Sequence, residues 1–246
     1  MGDNARAPYG TRSFEVVYEF TLQAVTKLFE MGCHLVILGC NTASAKALRS
    51  IQQNDLPHLD AKRRVLGVIR PTAEIIGKLT QSRHVGLLAT EGTVKSESYP
   101  LEIQKFYPDI QVSGVACPFW VPLVEYNEAN SPGADYFVKK RMDALMAKDG
   151  AIDTIILGCT HYPLLMAKIE KYNKPGVRIV AQGEYVARSL QDYLYRHPEM
   201  EEKCTKNGTC RYFTTENPAR FKDSAQIFLH ENVNVEHVDL TPQSSL

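Results

Sequence analysis

Two short turns carry residues able to move protons: Gly39-Cys40-Asn41-Thr42 and Gly158-Cys159-Thr160-His161. Each follows an apolar run, and each leads through polar residues into a helical pattern. Either Gly-Cys pair alone is what chance supplies, because cysteine is small and commonly buried. The shared context is the signal. Two equivalent turns in two halves of one chain predict two similar lobes, each presenting one thiol to a common cleft. Acid/base groups on opposite sides of a small molecule can take a proton from one face of a carbon and deliver one to the other, which inverts a stereocentre. A cysteine ahead of a helix meets free N–H groups and the positive end of the dipole, so both thiols are expected to have lowered pKa values. The glycine before each is expected to let another group approach the backbone closely.

Two competing chemistries use the same side chains. Metal binding by Cys40, Cys159 and His161 would lack the close Cys or His pairs that zinc sites usually show. Cys204-x5-Cys210 comes nearer to such a pair, but His197 is the one imidazole close by, and the segment reads as an exposed loop with incidental cysteines. A cysteine-nucleophile hydrolase needs a histidine acting on one thiol; His161 adjoins only Cys159 in sequence, which leaves the Cys40 turn unexplained. Cys33 and Cys117 read as packing residues. No Gly-x-Gly-x-x-Gly or Walker-type loop occurs, so dinucleotide or ATP binding has no sequence support, and Gly183-Glu184 is at best a weak anion turn.

The elements that must position the thiols follow from periodicity. Residues 13–31 read as a helix with Phe14, Val17, Thr21, Val25 and Leu28 on one stripe and Gly32 at its left-handed cap. Leu35, Val36, Ile37 and Leu38 have no polar alternation, the pattern of a strand buried on both faces of a parallel sheet. A helix is expected from about Thr42 and a strand over 65–69. The alternation continues with strands over 85–89, 110–116, 154–157 and 177–181, and helices over 94–106, 134–147, 163–172 and 184–195. A polar surface excursion over 196–207 precedes a last strand, helix and strand at 211–214, 218–229 and 233–238. Strand and helix alternating along most of the chain predict an α/β fold of parallel sheets flanked by helices, with ligands at the carboxyl ends of the strands.

Composition closes off other classes. The 246 residues carry 28 Lys plus Arg against 28 Asp plus Glu, so nothing in the charge balance suits a polyanion, and nucleic acid is not an expected partner. No apolar stretch reaches a membrane span and the first residues lack a secretory core, which predicts a cytoplasmic protein with no membrane partner. The six cysteines are then expected to be reduced thiols.

At this point the residues resemble a known family. Gly39-Cys40-Asn41-Thr42-Ala43-Ser44-Ala45 and Gly158-Cys159-Thr160-His161-Tyr162-Pro163-Leu164-Leu165 look like the two signature turns of the glutamate racemases, within the aspartate/glutamate racemase superfamily. The resemblance extends through Pro8-Tyr9-Gly10-Thr11-Arg12-Ser13, Thr90-x-x-Thr93, Val121-Pro122-Leu123-Val124-Glu125 and the segment from Tyr212 to Leu229. It implies a cofactor-independent two-base racemase making D-glutamate for peptidoglycan, with its substrate between two pseudo-symmetric α/β lobes. Lobe one would be residues 1–68 plus 183–246, and lobe two 69–182. Carried over by position, Cys40 and Cys159 become the catalytic acid/bases. Tyr9, Gly10, Asn41, Thr42, Thr93, Thr160 and His161 become substrate contacts, with Pro8 and Glu125 in support and no metal. The family tendency implies a homodimer. Racemization of another acidic amino acid, or an impaired relative that binds only a ligand or partner, are the alternatives. One departure stands out: the family's opening strand and Asp-Ser-Gly turn do not occur before Met1-Gly2-Asp3. A chain lacking them is expected to be less stable and less active than one that has them, through a lost hydrogen-bond ladder and a lost substrate contact.

Overall fold

The run His84–Ala89 (β3) has no polar alternation because it lies inside a four-stranded, all-parallel sheet of order β4-β3-β5-β6. The computed structural model describes residues 1–206 and 208–240. Helix α1 (Phe14–Glu30) leads to strand β1 (Leu35–Leu38), followed by α2 (Asn41–Lys46), α3 (Leu48–Ser50), a π turn at Ile51–Asp55 and α4 (Leu56–Asp60). Strand β2 (Arg64–Gly67) pairs in parallel with β1, and α5 (Ile69–Leu79) then leads to β3. After β3 come α6 (Glu91–Lys95), α7 (Ser98–Gln104), β4 (Gln111–Ala116), α8 (Trp120–Glu125), α9 (Pro132–Lys148) and β5 (Thr154–Gly158). A 3-10 turn at Tyr162–Leu165, α10 (Met166–Lys171), β6 (Arg178–Val180), α11 (Gly183–Arg196) and α12 (Pro198–Glu201) complete that region. Strands β7 (Tyr212–Thr214) and β8 (Val235–His237) flank α13 (Pro218–Leu229) and pair in parallel; Gly2 bridges to Thr214 at the same small sheet.

The period-two geometry of a strand sorts the sheet's side chains into two cores. Leu88, Ile155 and Leu157 pack with Trp120, Val138, Met142 and Leu145 from α8 and α9. Val85, Leu87, Ala89 and Ile156 pack on the other face with Ile69, Ala73, Ile76, Tyr99 and Ile103 from α5 and α7. A third core joins Val17, Val25 and Phe29 of α1 to Val36, Leu38 and Val65 of β1 and β2.

Several sequence expectations change in detail. The strand expected over 65–69 stops at Gly67, and Ile69 opens α5 with Pro71 in its first turn, where a missing N–H is tolerated. The helix expected over 94–106 is two helices. Glu97 between them adopts φ 52°, and that left-handed residue redirects the chain. Helices α5, α8 and α4 have no counterpart in the pattern reading. The expected excursion over 196–207 contains α12, and its last residue, Asn207, lies outside the described residues.

Asp153, the residue before β5, fixes where that strand starts. Its carboxylate accepts from the backbone N–H groups of Gln81 and Ser82 (both 2.6 Å) and from the hydroxyls of Thr80 (2.6 Å) and Thr154 (2.9 Å). Burial pushes its pKa up, but these four donors outweigh burial and hold it at about 2. An amide can keep its oxygen on the two backbone N–H groups, but its NH2 then faces the Thr80 and Thr154 hydroxyls, which can no longer donate there and must turn. Asp153→Asn is therefore expected to destabilise the fold by about 1–3 kcal/mol near neutral pH. A depressed carboxylate contributes above its unfolded pKa and loses that contribution as pH falls through the folded one. The gap between wild type and variant, read by urea melts, should accordingly narrow from about pH 4 down to about pH 2; a constant gap would refute the assignment.

Candidate active site

In the four-stranded sheet, β4 lies on one side of β3 and β5 on the other, so the strand order reverses between β3 and β5. Crevices at the carboxyl ends of strands on either side of such a reversal are where open α/β sheets bind ligands. The residues that leave these two ends are Thr90 and Thr93 after β3, and Cys159 and His161 after β5. The turn after β1 brings Cys40 and Thr42 to the same place.

Cys40 is the N-cap of α2, and its carbonyl accepts the first helical hydrogen bond from Ser44 (2.9 Å). Burial pushes its thiol pKa up, against the opposing pull of the Ala43 and Thr42 N–H groups and the Thr42 hydroxyl. Cys159 follows the wholly buried β5. Burial raises its pKa to about 12, the N–H groups of His161 and Tyr162 oppose that, and the negative charges of Cys40 and Glu125 raise it further. The lowered pKa values expected from the helix ends are thus overturned: desolvation of a charged sulfur exceeds what the helix-end donors return. Both sulfurs are free thiols, and each turn lies within electrostatic reach of the other.

The two turns are less alike than their sequences. Cys40 opens an α-helix, whereas Cys159 leads into a 3-10 turn. The glycines differ too. A Cβ on Gly158 would sit 2.8 Å from Leu87 and 3.1 Å from Ala89, so this glycine is required for packing against β3, while Gly39 has open space around it.

His161 turns its imidazole toward Cys159: Nδ1 lies 3.8 Å from Sγ, and Nε2 lies 2.5 Å from Glu125 Oε1 at the end of α8. With Glu125 accepting from Nε2–H, Nδ1 is left facing the thiol. The His161 hydrogen bond also holds the Glu125 carboxyl below its ordinary range. Carboxylate, imidazole and thiol therefore form one line.

Three buried hydroxyls close the other side. Thr42 Oγ1 lies 2.9 Å from Thr90 Oγ1 and 3.4 Å from Thr93 Oγ1, and the latter two are 3.1 Å apart. Gly10 stacks against this triangle: its carbonyl accepts from Gly92 N–H (2.8 Å), and a Cβ on Gly10 would lie 2.9 Å from Thr90 Cβ. Tyr9 donates its phenol to Asp3, and burial first, then Asp3, pushes its pKa far up; it also feels charge on Cys40. The Pro8 carbonyl accepts from Arg12 Nε (3.2 Å). Thr160 is exposed at its turn. Asn41 is buried, and its side chain is engaged by Tyr99 and Gln182, so its Oδ1 is already committed within the protein.

Thr90, Tyr99 and Gln182 are the participants absent from the sequence-derived set. Thr90 carried a signal, as a threonine N-cap before Glu91. Gln182 had only its position after β6 at the carboxyl edge of the sheet. An open cavity of about 500 Å3, lined in part by Lys27, Arg211, Phe213 and Glu236, shares no residue with either turn; side-chain chemistry, rather than volume, locates the site. Among the described residues, no group of three or more His, Cys, Asp or Glu gathers to hold a metal, and no helix is long and apolar enough to cross a membrane.

Residues 2–190 match the family model described as Asp/Glu/Hydantoin racemase. The chain belongs to the Asp/Glu/hydantoin racemase family. A glutamate racemase of Streptococcus pyogenes serotype M49 is 38% identical over 244 residues, covering 98% of this chain and 88% of that protein. Among solved structures, a glutamate racemase isoform from Bacillus anthracis superposes with a TM-score of 0.87 at 33% identity, over 97% of this chain and 86% of that one. The glutamate racemase of Francisella tularensis, solved in complex with D-glutamate, gives 0.84 at 28% identity, over 97% and 86% of the two chains. The α/β fold with parallel sheets flanked by helices is the fold of these racemases, and the chain is an isomerase of the racemase type.

Proposed function

We propose that this chain interconverts L- and D-glutamate without a cofactor, using Cys40 and Cys159 as its two acid/base groups and supplying D-glutamate for peptidoglycan in a bacterial cytoplasm. The observation that carries the proposal is the pair of free thiols in the turns after β1 and β5, close enough for charge on Cys40 to act on Cys159, in a chain of this family. The racemization step balances with those groups alone. One thiolate takes the Cα proton, the electron pair stays on Cα next to the carboxylate, and the opposite thiol delivers its proton to the other face. The roles of the sulfurs are then exchanged, which is the starting state for the reverse direction. Charge on Cys40 raises the pKa of Cys159, so the site resists holding two thiolates at once, and once one thiol is deprotonated the other is kept as the acid that the step requires.

The supporting groups fit this reading. The Cα proton is very weakly acidic, so charge developing toward the carboxylate needs preorganised donors away from bulk water. The Thr42, Thr90 and Thr93 hydroxyls and the N–H groups at the head of α2 are such donors. Glu125 holds His161 in place to exchange a proton with Cys159. The same reading divides the chain into lobe one, residues 1–68 and 183–246, and lobe two, 69–182; it is supported by the β1–β2 pair and the β7–β8 pair lying outside the four-stranded sheet. Residues 241–246 of that division lie outside the described residues.

The test is circular dichroism of purified protein with pure L- and pure D-glutamate in the presence of a chelator. Both signals are expected to decay to zero at the same final state. A signal unchanged with glutamate but lost with aspartate would assign a different acidic substrate, and no decay with either would reject the racemase reading.

A further inference from the structure

The active-site turns are joined by a buried polar ring that the racemization chemistry does not itself use. Asn41 Nδ2 donates to Gln182 Oε1 (2.8 Å), Gln182 Nε2 donates to the Tyr99 hydroxyl (2.6 Å), and that hydroxyl donates to Asn41 Oδ1 (2.6 Å). The three bonds run head to tail, so each polarises the next, and the Val68 carbonyl, which can only accept, sets the direction of the circuit by requiring the Gln182 NH2 beside it. All three side chains are buried, at 2%, 7% and 0% exposure for Asn41, Gln182 and Tyr99. Gln182 is braced from behind by Thr72 Oγ1 (3.0 Å) and the Val68 carbonyl (3.1 Å). Tyr99 reaches the other turn as well: its ring lies 3.3 Å from the place a Cβ on Gly158 would occupy, next to Cys159. The ring thus grips the residue after one thiol, while the tyrosine within it packs against the residue before the other.

We infer that Gln182 and Tyr99 are positioning residues that hold the Cys40 turn, through Asn41, at its working distance from Cys159. The inference rests on the two-thiol reading above. Asn41 is the first residue of α2, so its orientation sets where Cys40 and the N–H groups of Thr42 and Ala43 point. A satisfied ring in a dry site holds one arrangement; opening it leaves donors and acceptors without partners, and the turn must move to find others. Loosening should fall on Cys40 more than on Cys159, whose turn is held independently by β5 and by the Gly158 packing.

The experiment uses Gln182→Met, which keeps the chain length and removes the amide, and Tyr99→Phe, which removes one oxygen and retains the packing on Gly158. Each is expected to lower kcat/KM about tenfold for both enantiomers, the ratio that corresponds to about 1.4 kcal/mol of misplaced hydrogen bonding. Two readouts separate positioning from general destabilisation. With α-deuterated substrates, slower proton transfer at one sulfur should enlarge the isotope effect on kcat/KM for one enantiomer and shrink it for its mirror image. By mass spectrometry, the pH profile of iodoacetamide alkylation should be displaced at Cys40 and stay in place at Cys159. If Gln182→Met does not fold, Tyr99→Phe carries the comparison. Isotope effects that change equally, together with alkylation profiles that do not move or move alike at both thiols, would overturn the inference. Wild-type protein that fails to racemise glutamate would overturn the functional reading instead, and the alkylation comparison would still decide the positioning role.

Discussion

Cys40→Ser and Cys159→Ser should each reduce racemization of both enantiomers by at least about 10²–10⁴-fold, the usual contribution of a positioned acid/base group. The loss must appear in both directions. L- and D-glutamate have the same free energy in water, so kcat/KM for the two directions stays equal whatever the variant does to the barrier. A serine hydroxyl is a much poorer proton donor and acceptor than a thiol at these sites, and in the proposed mechanism each thiol acts once in each turnover. The raised thiol pKa values add a pH signature: with both sulfurs largely protonated in the free protein, kcat/KM should rise as pH rises from about 6 to 8. The measurement is the initial rate at low substrate, with thermal melts to establish that each variant is folded. A folded serine variant with near wild-type rates would make that cysteine a packing residue.

Gly92→Ala should lower activity by up to about a hundredfold while leaving the melting temperature unchanged or slightly raised, the magnitude being that of a misplacement near 1 Å. Gly92 stands between Thr90 and Thr93, donates its N–H to Gly10 O, and would carry its new Cβ 2.9 Å from that same oxygen and 3.0 Å from the Lys46 side chain. Lysine can swing aside, whereas the Gly10 carbonyl is backbone and must retreat, taking the Tyr9-Gly10 turn away from the threonine triangle. Alanine in a helix is otherwise favoured over glycine by roughly 0.5–1 kcal/mol, so the expected changes in activity and stability have opposite sign. Wild-type activity in the variant would mean that contact between these two turns is dispensable. A large loss of stability would mean that Gly92 serves the fold rather than the site.

Much of the molecule was legible as sequence. Leu35–Leu38 is a strand as expected but is not buried on both faces: Val36 and Leu38 face the core, whereas Ile37 is 39% exposed. The unalternated runs at His84–Ala89 and Thr154–Gly158 are strands because residues buried on both faces of a parallel sheet have no solvent side to mark. The paired Gly-Cys turns stood out for the same reason: a strand end before a helix is a fixed place in this architecture, and a thiol there is chemistry in a known location. Short helices such as α5 and α8 were not legible. Pro71 and Pro122 suggest breaks to a local pattern, yet both lie in the first turn of a helix, where proline is tolerated.

What only the folded chain decided are quantities that depend on neighbours remote in sequence. Local context, a cysteine ahead of a helix, argued for acidic thiols; burial reversed the sign, because the solvation lost by a charged sulfur exceeds what a few N–H groups restore. The Glu125–His161–Cys159 line spans 36 residues between its first two members, and the Asn41–Gln182 bond spans 141. No periodicity encodes such pairs. The sequence determined the two Gly-Cys turns, the strands that lead into them and the chemistry proposed for them, since those rest on residue type and local pattern. Tertiary structure alone decided which polar groups face each thiol and which proton each one holds, because desolvation and hydrogen bonding are set by whatever the fold packs around a group.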